Sequence, residues 1–210
     1  MERSQRPEKN RITVSGIVTD CYYSHTFNNQ DFFTILLSVC REEDCDEFKV
    51  IMPQSHTDRN LKSIDRGMVV RVTGFIRTRS IQSIKDNKSS HLDVFIYGTS
   101  ISVLTDEEYY INGNDNTVVI EGTICREMYC HSINKSAVSA GMVACNRKGN
   151  TRADYIPIVA AGNFSSIIKR KSVGDRIQCS GRLQTRKIVC KYKIKIVYEV
   201  VISGLLEEVS

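Results

Sequence analysis

Basic and aromatic residues recur at alternate positions along two stretches of this 210-residue chain. In GMVVRVTGFIRTRS, residues 67–80, Arg71, Thr73, Phe75, Arg77 and Arg79 share one parity, and Val70, Val72, Gly74 and Ile76 hold the other. In GDRIQCSGRLQTRK, residues 174–187, Arg176, Gln178, Ser180, Arg182, Gln184 and Arg186 alternate with Ile177, Cys179, Gly181 and Leu183. That period belongs to a strand with one apolar face and one outer face, and the internal glycine marks a bend. Guanidinium groups so spaced can follow a phosphate backbone, and Phe75 offers a surface on which a base can stack. The chemistry indicated is polyanion binding, although the same arginines also suit a solvated strand or a subunit contact.

The second stretch runs on into KIVCKYKIKIV, where Lys187, Lys191, Lys193 and Lys195 surround Tyr192. A lysine-rich hairpin of this kind can hold a single nucleic-acid strand; edge lysines also keep a sheet from aggregating. Arg41, Lys49, Arg126, Arg147, Lys148 and Arg152 fall at or beside strand ends and join the candidates. Phe48 and Tyr155 occupy matching positions on two third strands and are candidate stacking residues. Enzyme chemistry finds little support. His25, His56, His91 and His131 are scattered among loops, with no HExxH, GxSxG or Walker lysine. Cys40 and Cys45, and Cys125 and Cys130, lack the paired CxxC spacing of strong zinc sites, so no metal or cofactor is expected.

These side chains need strands to position them. Residues 11–20, RITVSGIVTD, alternate as a half-buried strand with a bend at Gly16. CYYSHTFNNQ ends in turn residues and reads as a hairpin loop carrying Tyr22, Tyr23 and Phe27. Residues 31–41 form a second strand with Phe32 outward, 42–46 an acidic loop, and 48–52 a third strand stopped by Pro53. Leu61 and Ile64, three apart, predict a short amphipathic helix within 55–66, closed by Gly67. The first basic strand, a polar loop at 85–90 and LDVFIYG at 92–98 follow. Five strands with a helix between the third and fourth match an OB-fold barrel.

The programme then repeats. NTVVIEG at 116–122 answers NRITVSG at 10–16 at an offset of 106; Gly174 and Gly181 answer Gly67 and Gly74 at 107; YEVVISG at 198–204 answers LDVFIYG at 106. Ordered anchors at nearly constant spacing indicate internal duplication. The expected fold is all-β with one short helix per unit: a polar arm at 1–10, a first OB-fold at 11–104, a linker at 105–116 and a second OB-fold at 117–210.

Bulk composition is permissive. The 29 Lys+Arg against 24 Asp+Glu give a net charge of +5, a mild bias toward anionic partners. No run approaches the roughly 20 apolar residues of a membrane span, and the charged N-terminus has no apolar signal core, so a cytoplasmic protein is expected. The eight cysteines then read as reduced thiols in strands and core.

At this point a resemblance emerges. MVACNR (142–147), DYIPIVAAG (154–162) and GDRIQCSGRLQTRK are similar to the bacterial single-stranded DNA-binding protein family; LSVCR (37–41), EFKVIM and GFIRTR resemble it more faintly. Together they cover about 190 residues, and the fourth-strand Gly-x-Leu-x-Thr-Arg is the most specific motif. The resemblance implies single-stranded DNA binding with little sequence preference, in replication, recombination or repair, with Tyr155 as a stacking aromatic. It also implies four barrels per assembly, hence a homodimer of a two-barrel chain. The chain departs from the family in having no Trp, in carrying Ile188 and Ala161 near expected aromatics, and in ending Glu207-Glu208-Val209-Ser210 rather than on an acidic, Phe-ended tip that would recruit repair proteins. Weaker or more salt-sensitive binding is the expected consequence. An RNA-binding or primosome-type OB protein and a protein-interaction scaffold are the alternatives.

Overall fold

The computed structural model describes residues 9–41, 44–57, 60–82, 90–112, 115–133, 136–149, 151–190 and 193–206. The chain divides into two compact units, Arg11–Thr117 and Val118–Ser210 together with Met1–Asn10.

The Arg11–Thr117 unit is built on β1 (Asn10–Phe27), β2 (Gln30–Cys40), β3 (Cys45–Pro53), β4 (Val69–Gln82) and β5 (Ser90–Val103). Antiparallel pairs β1–β2, β2–β3, β4–β5 and β1–β4, with a parallel β3–β5 contact, close a ring in the order 1-2-3-5-4. Alternate residues fill its interior: Ile12, Val14, Ile35, Leu37, Phe48, Val50, Met52, Val70, Val72, Ile76 and Ile96 are buried. This is the period-2 face read from the sequence. In Val118–Ser210, β6 (Asn116–Ile124), β7 (Tyr129–Ile133), β8 (Ser136–Asn146), β9 (Ala153–Ala161), β10 (Arg176–Cys190) and β11 (Lys193–Leu206) repeat the ring as 6-8-9-11-10, with the parallel contact between β9 and β11. β6 and β7 together occupy the place of the single long β1, and β7 pairs with β8.

Three local expectations change. The segment expected as a hairpin loop, CYYSHTFNNQ, is mostly strand: β1 runs to Phe27, and only Asn28 and Asn29 turn, at φ 49° and 56°. Two successive positive-φ residues make the tight turn that matches strand twist, and Asn tolerates that region. The amphipathic helix expected within 55–66 is two 3₁₀ turns, Gln54–His56 and Leu61–Ser63, the second capped by the Asn60 side chain accepting from the Lys62 N–H. Only Leu61 and Ile64 seek the core there, too few for a longer helix face. The stretch 105–116, expected as a linker, contains α1 (Asp106–Asn112), and the Asp115 carbonyl accepts from Ser15 N–H at 2.8 Å. The second unit has its short helix where expected, α2 (Gly162–Ile168), with Ile168 buried. Among the described residues no helix is long and apolar enough to cross a membrane.

The cysteines also need correction. Cys40 and Cys45, expected as reduced thiols, form a disulfide. They face each other at the last register pair of the β2–β3 hairpin, a proximity that spacing along the chain does not reveal. The thiols of Cys21, Cys125, Cys130, Cys145 and Cys179 are free. Burial pushes the Cys179 thiol from 9.0 up to about 12. Burial, then Asp20 and Asp65, push Cys21 up to about 11. Native alkylation at pH 8.5 should therefore modify exposed Cys130 well before Cys21 or Cys179, as read by mass spectrometry of peptides. Because these folded values lie above the unfolded one, their contribution to stability is complete below about pH 9 and declines as pH rises toward 12. A urea midpoint flat from pH 8 to 11 would contradict this.

Candidate nucleic-acid interface

β4 sorts its residues as the sequence predicts. Val70, Val72, Gly74, Ile76 and Thr78 are buried, Arg71, Thr73, Phe75 and Arg77 are half-buried, and Arg79 is exposed. The strand is bent where expected, with a register shift between Thr73 and Gly74, and its second copy shifts between Ser180 and Gly181.

The outer face of β4 meets that of β5 directly: Phe75 lies opposite Tyr97, Arg77 opposite Phe95, and Arg79 opposite Asp93. On the far side of β5, the parallel register with β3 sets Ile51 beside Tyr97. Rings and cations interleave. The Arg77 guanidinium lies 4.9 Å from the Phe75 centroid and 6.0 Å from that of Tyr97. Arg79 is 5.8 Å and the Lys49 ammonium 5.6 Å from the Phe95 ring. At such distances ring quadrupole and cation attract. Asp93 holds the arrangement, accepting from Lys49 Nζ at 2.9 Å and from Arg79 Nε at 2.9 Å. Three cations against one carboxylate leave the face positive. Burial raises the Tyr97 pKa and nearby Arg77 opposes it, so its hydroxyl stays a donor at neutral pH. His56 stands edge-on to Tyr97 at 5.6 Å.

Phe95, Tyr97 and Asp93 were not singled out by sequence reasoning. Their signal was present, because Asp93, Phe95 and Tyr97 alternate with buried Val94 and Ile96. Aromatics in a closing strand were simply taken with the core.

Other candidate residues are engaged elsewhere. Arg71 Nε is 2.7 Å from Asp115, which also accepts from the Ser15 hydroxyl. Arg41 is 3.0 Å from buried Asp46, and Arg147 is 2.7 Å from fully buried Asp154. The same arginine-aspartate pair thus closes the β2–β3 and β8–β9 hairpins, a structural duty rather than a phosphate-binding one. Arg126 is exposed after β6, and Lys148 and Arg152 are exposed in the β8–β9 connection. Lys191 and Tyr192 lie outside the described residues, and Lys193 is described only as the first backbone position of β11.

Phe48 is a correction: it is 0% exposed, a core side chain with no face for a base. Its assumed match with Tyr155 fails by one residue. Phe48 pairs with Leu37, Ile156 with Val143, and the aspartates Asp46 and Asp154 correspond, so β3 and β9 align at an offset of 108. Tyr155 then answers Glu47 on the outer face and is 46% exposed. A one-residue slip exchanges the faces of a strand.

On β10 of the second unit Arg182 is exposed, but Gln184 lies opposite Glu199 and Arg182 opposite Val201, where the first unit has Phe95 and Tyr97. The YEVVISG anchor accordingly moves by two: Ile202, not Gly204, stands opposite Gly181 as Gly98 stands opposite Gly74. Glu199 is 4% exposed and takes both Arg186, at 3.1 Å, and Gln184, at 2.9 Å. Arg176 is likewise paired with Glu121 at 2.9 Å. Lys187 is exposed beyond them.

Two five-stranded rings with a parallel closing contact, each presenting a sheet face outside a packed interior, define a tandem OB-fold protein. Solved structures with this fold include a deletion variant of the single-stranded DNA binding protein from Thermus aquaticus, at 16% identity and TM-score 0.74, covering 97% of this chain and 96% of that one. The wild-type protein of the same organism matches at 16% and 0.74, covering 96% and 93%. At such identity the likeness is one of fold. No family model and no curated protein matches the sequence.

Proposed function

We propose that this chain belongs with the bacterial single-stranded DNA-binding proteins and binds single-stranded DNA with little sequence preference, as a non-enzymatic cytoplasmic protein of replication, recombination or repair. The observation that carries this reading is the interleaved face of Phe75, Phe95 and Tyr97 with Arg77, Arg79 and Lys49. Rings take bases by their flat faces, which all bases share, while the surrounding cations meet phosphates. The tandem fold shared with the Thermus aquaticus protein supports it. A homodimer presenting four barrels is part of the same proposal, and light scattering should return twice the chain mass at micromolar concentration.

Titration of a labelled dT oligonucleotide tests the function. Binding should be tighter than to duplex of equal length, with log K falling against log salt by about 0.7 for each phosphate neutralised. Equal affinity for duplex, or no salt slope, would overturn the reading. Competition by a matched RNA strand separates DNA from RNA preference through the 2′-OH.

A further inference from the structure

The β1–β2 ribbon extends an unusual row of rings. Tyr22 is 47% and Phe27 62% exposed, and the His25 and Phe32 rings stack at 4.8 Å with an interplanar angle of 1°. Tyr22, His25 and Phe27 stand opposite Thr34, Phe32 and Gln30, alternate residues of β2 that share the face opposite buried Phe33 and Ile35. That face is continuous with the platform. Tyr22 pairs with Thr34, Thr34 with Ile51, Ile51 with Tyr97 and Tyr97 with Phe75, one row across all five strands. Four strand spacings make this row about 19 Å long, within reach of the roughly 4–16 nucleotides that one OB-fold occupies.

The ribbon is held in shape before any ligand arrives. Its register is paired to the Asn28–Asn29 turn, Thr26 Oγ1 donates to Asp31 at 2.6 Å, and Tyr23 stands edge-on to core Phe33 at 6.0 Å. The Gln30 side chain donates to the Ser55 hydroxyl. Rings fixed in advance lose little freedom on binding. Residues 21–32 include no Lys or Arg and no Leu, Ile, Val or Met. Such a surface offers flat ring faces without a phosphate grip and without the aliphatic filling of a protein-docking core.

We propose that the outer face of this ribbon, carried by Tyr22, His25, Phe27 and Phe32, is a second base-stacking site for the strand held on the Phe75–Tyr97 platform; this rests on the functional reading above. It stacks bases and leaves phosphates to the cations of β3 and β4.

The test is dT binding by the full chain and by Tyr22→Ala/Phe27→Ala, each across a salt series. The variant should bind about 10-fold more weakly at every salt concentration, with the slope of log K against log salt unchanged. Phe27→Trp should keep the affinity, with indole fluorescence quenched on adding dT; this also decides the matter if the alanine variant does not fold. Wild-type affinity in the alanine variant together with an unquenched Trp would overturn the ribbon site while leaving the functional reading intact. Failure of the wild-type chain to bind dT would instead remove that reading. A fall in light-scattering mass with unchanged dT affinity would make the ribbon a contact between copies and overturn the proposal.

Discussion

Gly181→Ala should destabilise the second unit by ~3 kcal/mol, the scale of a forced overpacking that backbone cannot relieve. A Cβ at Gly181 would press on the Val201 carbonyl oxygen of the neighbouring strand, and one at Gly74 would press equally on the Tyr97 carbonyl. Both obstacles are main-chain atoms fixed in a ladder, not side-chain ends that can rotate away. The bulge beside each glycine is what brings the two strands so close. Gly149→Ala provides the contrast: nothing lies within 4 Å of its Cβ, and only its φ of 69° resists substitution. That conformational cost is about 1 kcal/mol. Urea midpoints for the three variants should place Gly74→Ala and Gly181→Ala together and well below Gly149→Ala. Equal losses at all three would leave backbone conformation as the cause. Gly74→Ala should weaken DNA binding as well, because the displaced strand carries Tyr97.

The alternation that makes Gly74 and Gly181 legible also exposed the β4 and β10 faces, since a period of two in a bent strand needs no tertiary information. Register between strands does need it. Phe48 and Tyr155 matched by counting along the chain, yet the connection from Asn146 to Ala153 is two residues longer than that from Cys40 to Cys45, and the offset changes from 106 on β8 to 108 on β9. The same blindness hid the disulfide, whose cysteines are partners only once the hairpin closes. Charge was misjudged for a related reason. Arg71, Arg41, Arg147 and Arg186 looked available because their carboxylates, Asp115, Asp46, Asp154 and Glu199, lie in other elements. The ribbon was read as a loop because CYYSHTFNNQ mixes aromatics with turn formers; pairing with β2 decides its conformation.

Phe95→Ala/Tyr97→Ala should weaken dT binding by about 10²- to 10³-fold, since base stacking is worth roughly 1–3 kcal/mol per base. Arg182→Ala/Arg186→Ala should cost about 10-fold or less. The difference follows from what each unit places opposite its fourth strand. In the first unit Phe95 and Tyr97 back the arginines with rings, and the Arg77 guanidinium rests on two of them, a cation held beside flat surfaces. In the second, Glu199 occupies the position of Phe95 and already binds Arg186 and Gln184. A phosphate reaching Arg186 must displace a carboxylate that is nearly buried, so little net attraction remains. Arg77→Ala should therefore lower the salt slope by about 0.7, whereas Arg186→Ala should hardly change it. Glu199→Gln should release Arg186 and raise the slope by about the same 0.7; Glu121→Gln, which alters the Arg176 pair in the same unit, controls for the change in net charge. If Arg182→Ala/Arg186→Ala proves as damaging as the loss of both rings, the second unit is the principal binder and Glu199 orients Arg186 toward phosphate instead of occupying it.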